Sequence, residues 1–235
     1  MNDHADSKNK TERTLAAEIK LYYNLELPRE TATPCPLLIA LHGYGDNKTW
    51  MMREARQLVP QGFAVAALQG FHQHLKPVKR EGAPLRYGFG WLTNFHAEES
   101  VALHHRALLD LIETLAHEVS IARDQVFLLG FSQSVALNYR FVFTHTDVVR
   151  GVIGVCGGLP GDWETSEVYA PSKTSVLHLC GARDEFYPPA RVEEYAAQLR
   201  RRASDMEMRS YDAGHEIVPA MRADVYEWLR TRVPA

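Results

Sequence analysis

The sequence predicts an α/β protein with a mostly parallel central sheet flanked by helices on both faces. Three observations carry that expectation. Short apolar runs alternate with longer amphipathic stretches along most of the chain, as strands and covering helices do when they take turns. The apolar runs are continuous, the pattern expected of strands buried on both faces. The chain has 235 residues, 46% of them hydrophobic and 23% charged, which is ample apolar surface for one large domain and excludes a chain disordered throughout.

Taken in order, residues 1–10 are polar and lack an apolar h-region, so they do not read as a secretory signal. Residues 1–12 are expected to be a frayed polar tail ahead of a single domain over 13–235. Residues 14–23 partly alternate and read as an antiparallel edge strand. Continuous apolar runs at 36–41, 63–68, 126–129, 151–156 and 175–180 read as buried strands. Leu108, Leu111, Ile112 and Leu115 recur at helical spacing in a segment that begins near Glu98. Val135, Tyr139 and Phe143 mark a second helix, and Val192, Tyr195 and Leu199 a third. Val218, Met221, Val225, Trp228 and Leu229 form the apolar face of a last helix.

Residues 71–96 fit neither pattern. They are rich in glycine, proline, basic residues and aromatics, and read as a long, packed, functional loop. The basic residues Lys76, Lys79, Arg80 and Arg86 within it read as a solvated surface run.

Composition excludes several classes of function. With 26 basic and 29 acidic residues the formal net charge is −3, whereas a nucleic-acid partner calls for a basic excess. No apolar stretch approaches the roughly 20 residues of a membrane span. Cys35, Cys156 and Cys180 are too widely spaced for a metal-type cluster or a disulfide scaffold, which points to a reducing, cytoplasmic setting. Cys156 and Cys180 each end an apolar run and read as small packed hydrophobes.

The sharpest chemical signal is Gly130-Phe131-Ser132-Gln133-Ser134, which follows an apolar run directly and leads into a helical pattern. That is the context of a nucleophile elbow, where a tight strand-to-helix turn lifts a serine hydroxyl above the sheet. Gly130 fits the turn; Ser134 is small but carries a Cβ. A serine needs a base to take its proton and a carboxylate to orient the base, and on such folds these follow the serine in the order acid, then histidine. Asp184 stands in a turn straight after the run 175–180, and His215 precedes the last helix. Glu185 and Asp212 are alternative acids. His104, His105 and His117 fall in a helix, His178 in a strand, His72 and His74 too early, and His145 just after the elbow helix.

Negative charge developing on the acyl oxygen calls for two fixed N–H donors. The Gln133 amide, one residue past the serine, is the first, and the Tyr44 amide in the glycine-flanked turn His42-Gly43-Tyr44-Gly45 is the second. Tyr87, Phe89 and Trp91 are the candidate wall of a substrate pocket.

Read together, Leu41-His42-Gly43-Tyr44-Gly45-Asp46, Gly130-Phe131-Ser132-Gln133, Gly157-Gly158-Leu159-Pro160, Gly181-Ala182-Arg183-Asp184 and Ala213-Gly214-His215-Glu216 resemble the phospholipase/carboxylesterase family of α/β-hydrolases. The resemblance runs in order from about Leu37 onward. It implies an α/β-hydrolase fold and a nearly lidless serine hydrolase without metal or cofactor, with Ser132 as nucleophile, His215 as base and Asp184 as its partner. Ser134 departs from the family's glycine, and the 71–96 stretch, with Tyr87-Gly88-Phe89-Gly90-Trp91, does not match its pattern residue by residue. The expected activity is hydrolysis of a small-molecule carboxylic ester. The same residues would serve a thioesterase acting on acylated proteins or small thioesters, and an inactive binding module on this fold is the reading from another class. The sequence leaves the physiological ester, the acyl length and the oligomeric state open.

Overall fold

The computed structural model describes residues 12–29, 34–78 and 80–233. The expected tail therefore lies outside the described residues apart from Glu12, and so does Lys79. The main sheet has seven strands in the order β1-β3-β2-β6-β7-β8-β9. They are β1 (Tyr23–Glu26), β2 (Cys35–Leu41), β3 (Ala64–Leu68), β6 (Ile121–Phe131), β7 (Gly151–Val155), β8 (Ser175–Gly181) and β9 (Met206–Tyr211). Only β1 runs antiparallel, against β3; every other pairing is parallel. The predicted fold class holds.

Both faces of the sheet are buried, and side chains alternate between two cores. Leu37, Ile39 and Leu41 of β2 join Val126 and Leu128 of β6 on one side, while Leu38, Ala40, Phe127 and Leu129 pack on the other. The first core is covered by α2 (Ala97–Glu118), α3 (Gln133–Thr144) and α4 (Pro189–Arg200). The second is covered by α1 (Lys48–Ala55) and α5 (Pro219–Arg230). Parallel connections of this length leave the strand C-termini at one edge, where the loops after β2, β6, β7, β8 and β9 gather.

Three sequence expectations are corrected. The edge strand was expected over 14–23 but begins at Tyr23 and pairs through Glu26. Leu15 and Tyr22, at 94% and 63% exposure, have no sheet to cover, because β3 ends at Leu68, which Tyr23 already pairs. Residues 71–96 are not a plain loop: they contain an antiparallel hairpin, β4 (His72–Leu75) with β5 (Tyr87–Gly90). Its short strands and two glycines hid it. Finally, α1 was not foreseen. It is started by Asn47, whose side chain accepts the N–H groups of Thr49 and Trp50 at 3.0 Å each.

Candidate active site

The elbow is built where β6 meets α3. Ser132 adopts φ 57° and ψ −117°, a conformation that costs a non-glycine residue on the order of 1–3 kcal/mol. Its neighbours fix it there. The Ser132 N–H donates to Val155 O at 2.9 Å, and the Val135 N–H donates to Ser132 O at 3.1 Å. A Cβ on Gly130 would lie 2.9 Å from Asn138 Nδ2 and 3.1 Å from the Val135 backbone, so that position must stay glycine. Ser134 is different: its Cβ is accommodated and its hydroxyl is used. The buried Oγ accepts the Phe131 N–H at 3.0 Å and lies 2.9 Å from the Leu41 carbonyl, tying the elbow to the end of β2.

The structure brings Ser132, His215 and Asp184 into one hydrogen-bonded line. His215 Nε2 is 2.9 Å from Ser132 Oγ, and His215 Nδ1 is 2.9 Å from Asp184 Oδ2. Both contacts are satisfied when Nδ1 carries the proton and Nε2 accepts from the hydroxyl. Asp184 is itself held: its Oδ1 accepts the N–H groups of Phe186 at 2.9 Å and Tyr187 at 3.0 Å. The Asp184 and His215 loops are joined by the Arg183 N–H to Ala213 O bond at 2.9 Å. Phe131, Phe186 and Tyr187 surround the imidazole at centroid distances of 5.0, 4.8 and 5.9 Å. The alternative acids face elsewhere: Glu185 is exposed, and Asp212 pairs with Arg183 at the surface.

The turn after β2 lies against the nucleophile, since a Cβ on Gly43 would approach Ser132 Cβ to 3.2 Å. His42 shapes that turn from beneath. Its Nδ1–H donates to Gly43 O at 2.7 Å, and its Nε2 accepts the Gly70 N–H at 2.9 Å. Burial pushes its pKa down to about 4, so the ring is neutral. Both amides expected as oxyanion donors border Ser132, Gln133 by sequence and Tyr44 through Gly43.

The end of β5 braces both. The Gly45 N–H donates to Phe89 O at 2.8 Å. The Trp91 indole N–H donates to His42 O at 2.8 Å. The Gln133 side chain accepts the Trp91 backbone N–H at 2.9 Å and donates to Leu92 O at 3.1 Å. Of the residues expected to line a pocket, Tyr87 is 52% exposed and Phe89 half-buried. Trp91 is fully buried, edge-on to Phe71 and His104, and packs within the core rather than presenting a surface to a ligand.

One neighbour of the site was missed. Spacing along the chain gave no metal-type cluster, yet the fold carries Cys156, at the end of β7, to Asp184 and His215, with their ligand atoms all within 4.8 Å of one another. Cys156 sits at φ 49°. Its thiol is pushed up to about 12 by burial and by the Asp184 carboxylate. Its only signal in the sequence was its place one strand beyond the elbow strand.

A family model described as phospholipase/carboxylesterase matches residues 25–233. Among solved structures, the chain resembles the carboxylesterase of Bacillus cereus at 18% identity and TM-score 0.70, over 91% of this chain and 95% of that one. It resembles the carboxylesterase from Mesorhizobium loti at 22% identity and TM-score 0.68, over 88% and 99%. It also resembles acyl-protein thioesterase 2 of Zea mays at 19% identity and TM-score 0.66, over 90% and 98%. At these identities the structural likeness speaks for the fold.

Proposed function

The chain belongs to the phospholipase/carboxylesterase family, and from that premise we propose that it hydrolyses small-molecule carboxylic esters through an acyl-enzyme on Ser132. The observation that carries the reading is the continuous Ser132–His215–Asp184 line, with both contacts at 2.9 Å. In the first half-reaction His215 Nε2 takes the hydroxyl proton as Oγ attacks the acyl carbon. Asp184 holds the Nδ1–H and offsets the imidazolium charge. The Tyr44 and Gln133 amides receive the oxyanion, and the N-terminus of α3 adds a favourable field there. His215 then returns the proton to the departing alkoxide. In the second half-reaction it activates water, which releases the acid and restores the serine.

The test is turnover of p-nitrophenyl esters by the full chain and by Ser132→Ala. Loss of activity in the variant, with fluorophosphonate labelling of wild type at Ser132, is expected. Wild-type turnover in Ser132→Ala would remove the nucleophile, and a folded protein that neither labels nor turns over esters would favour the inactive binding module.

A thioester would meet the same groups. That second reading is favoured by Leu75, Leu85 and Tyr87, exposed by 52% or more on the hairpin and its connection beside the oxyanion turn, where a long acyl chain would find apolar contact. A rise in kcat/KM from acetyl to octanoyl thioesters supports it, and a fall counts against it. Among the described residues no helix is long and apolar enough to cross a membrane. The cysteines Cys35, Cys156 and Cys180 are free, which supports a reducing, cytoplasmic setting.

A further inference from the structure

The thiol of Cys156 has no part in the proposed ester chemistry, yet it is buried against the two groups that activate the serine. Its hydrogen-bond options are long ones, Glu216 O at 3.6 Å and Gly214 O at 3.9 Å. Beside it stand an imidazole nitrogen and a carboxylate oxygen, so three different ligand atoms converge within 4.8 Å. Thiolate, imidazole and carboxylate together make a donor set for a thiophilic, tetrahedral cation. We propose that Cys156, Asp184 and His215 form an inhibitory site for a thiophilic divalent cation of the zinc and cadmium class.

Charge supports the assignment. A dication bound by one thiolate and one carboxylate leaves a neutral group, which is what a buried position demands. The Asp184 side chain is fully buried and that of His215 is 18% exposed, so His215 is the entrance. Bonds of about 2.0–2.3 Å set tetrahedral ligand atoms roughly 3.3–3.8 Å apart, so the Cys156 sulfur must draw in by up to roughly 1 Å while His215 Nδ1 and Asp184 Oδ2, now 2.9 Å apart, separate slightly; a Cys156 rotation and a small shift of the His215 loop supply both. The carbonyls of Gly214 and Glu216, already near the sulfur, offer a fourth ligand.

Binding would stop catalysis for two separable reasons. Cys156 loses its proton to solvent as the metal–sulfur bond forms. Nδ1 of His215 must give up its proton to ligate, and that proton moves to Nε2 with no net loss from the ring. Nε2 then donates and no longer accepts, so Ser132 has no base. Asp184, drawn onto the cation, no longer orients the ring. Because the entrance is the catalytic histidine, onset should be slow and blocked by prior acylation of Ser132.

The inhibition arm rests on the proposed esterase reading, whereas metal binding does not. The experiment is therefore a titration of the metal-free full chain with cadmium chloride, read by the ultraviolet charge-transfer absorption of a cadmium–thiolate bond. In parallel, p-nitrophenyl ester hydrolysis is followed as a fraction of each variant's own metal-free rate. Expected are one cadmium per chain, inhibition reversed by chelator, and loss of the absorption band in Cys156→Ala with at least a tenfold rise in the half-inhibitory concentration. Cys156→Ser serves if the alanine variant folds poorly, since it also removes the thiolate. Zinc should compete for the band. A band that survives in Cys156→Ala and disappears in the Cys35→Ala/Cys180→Ala double variant overturns the site. So does inhibition of equal potency in Cys156→Ala, which would place the cation elsewhere. If wild type cleaves no ester, the esterase reading falls, and the band still decides the site.

Discussion

Replacing Gln133 with leucine tests how the two oxyanion donors are kept in register. The side chain is held by two hydrogen bonds, from Trp91 N–H at 2.9 Å and to Leu92 O at 3.1 Å. Leucine keeps the volume and removes both. Each bond contributes about 1 kcal/mol net, so folding should lose about 2 kcal/mol, and Tm should fall by roughly 4–8 °C for a domain of this size. The catalytic effect is a different quantity. The Gln133 backbone amide remains, but the tie to the β5 end that also fixes Gly45 and His42 is cut. A full oxyanion donor is worth about 3–4 kcal/mol, and a misaligned one should lose about half of that, a kcat lower by about 10- to 30-fold. KM should change less than twofold, because the ground-state carbonyl carries little negative charge. Initial rates on p-nitrophenyl butyrate across a KM-spanning range, with thermal melts on the same preparations, separate the effects. A lowered Tm with kcat within twofold of wild type would refute the idea that this side chain positions the donor.

Three further expectations follow from contacts already described. Asp184→Asn should keep the Oδ1 bonds to Phe186 and Tyr187 but favour the wrong imidazole tautomer, lowering kcat on the order of 10⁴-fold; a drop below tenfold in steady-state assays would speak against Asp184 as the orienting acid. Ser134→Ala should strand the Phe131 N–H and the Leu41 carbonyl, costing about 2 kcal/mol and a Tm fall of roughly 4–8 °C by calorimetry, and an unchanged Tm would contradict it. His42, His105 and His178 are each pushed by burial down to about 4 and His104 to about 3. The unfolded chain, with histidines near 6.5, therefore binds more protons below that pH. Stability should be full above pH 6.5 and fall progressively toward pH 4, by up to about 3 kcal/mol for each histidine. Urea midpoints that stay flat from pH 7 to pH 4.5 would exclude this.

The strand runs were legible because burial on both faces leaves an uninterrupted apolar signature; β2, β3, β7 and β8 lie largely on such runs, as does the second half of β6, whereas its first half, with exposed Arg123 and Asp124, carries none. The serine, acid and histidine were legible because each stands straight after a strand, where the fold must turn and can present a side chain. What escaped had no such signature. The hairpin β4–β5 is four residues a side, with Gly88 and Gly90 where an apolar alternation would be read. Those glycines admit the neighbouring turn: a Cβ on Gly88 would strike Gly45 O at 2.9 Å, and one on Gly90 the Tyr44 ring at 3.1 Å. Trp91 was read as a pocket residue because aromatics in a loop suggest contact with a ligand, whereas its indole N–H found an internal acceptor. Cys156 was read by its apolar surroundings alone, and nothing in a linear pattern reveals that the end of the neighbouring strand, one crossover away, will bring a carboxylate to it.

The hairpin divides into a part that can vary and a part that cannot. Its strands grip the turn after β2, while the connection that leaves them at Leu75 and Tyr87 is closed at its base by the Lys76 N–H to Arg86 O bond at 2.8 Å. Residues 80–82 and 84–86 of that connection are largely exposed, so a mutational library confined to them would vary this surface and leave the reaction's scaffold untouched, without first having to repair a damaged catalyst.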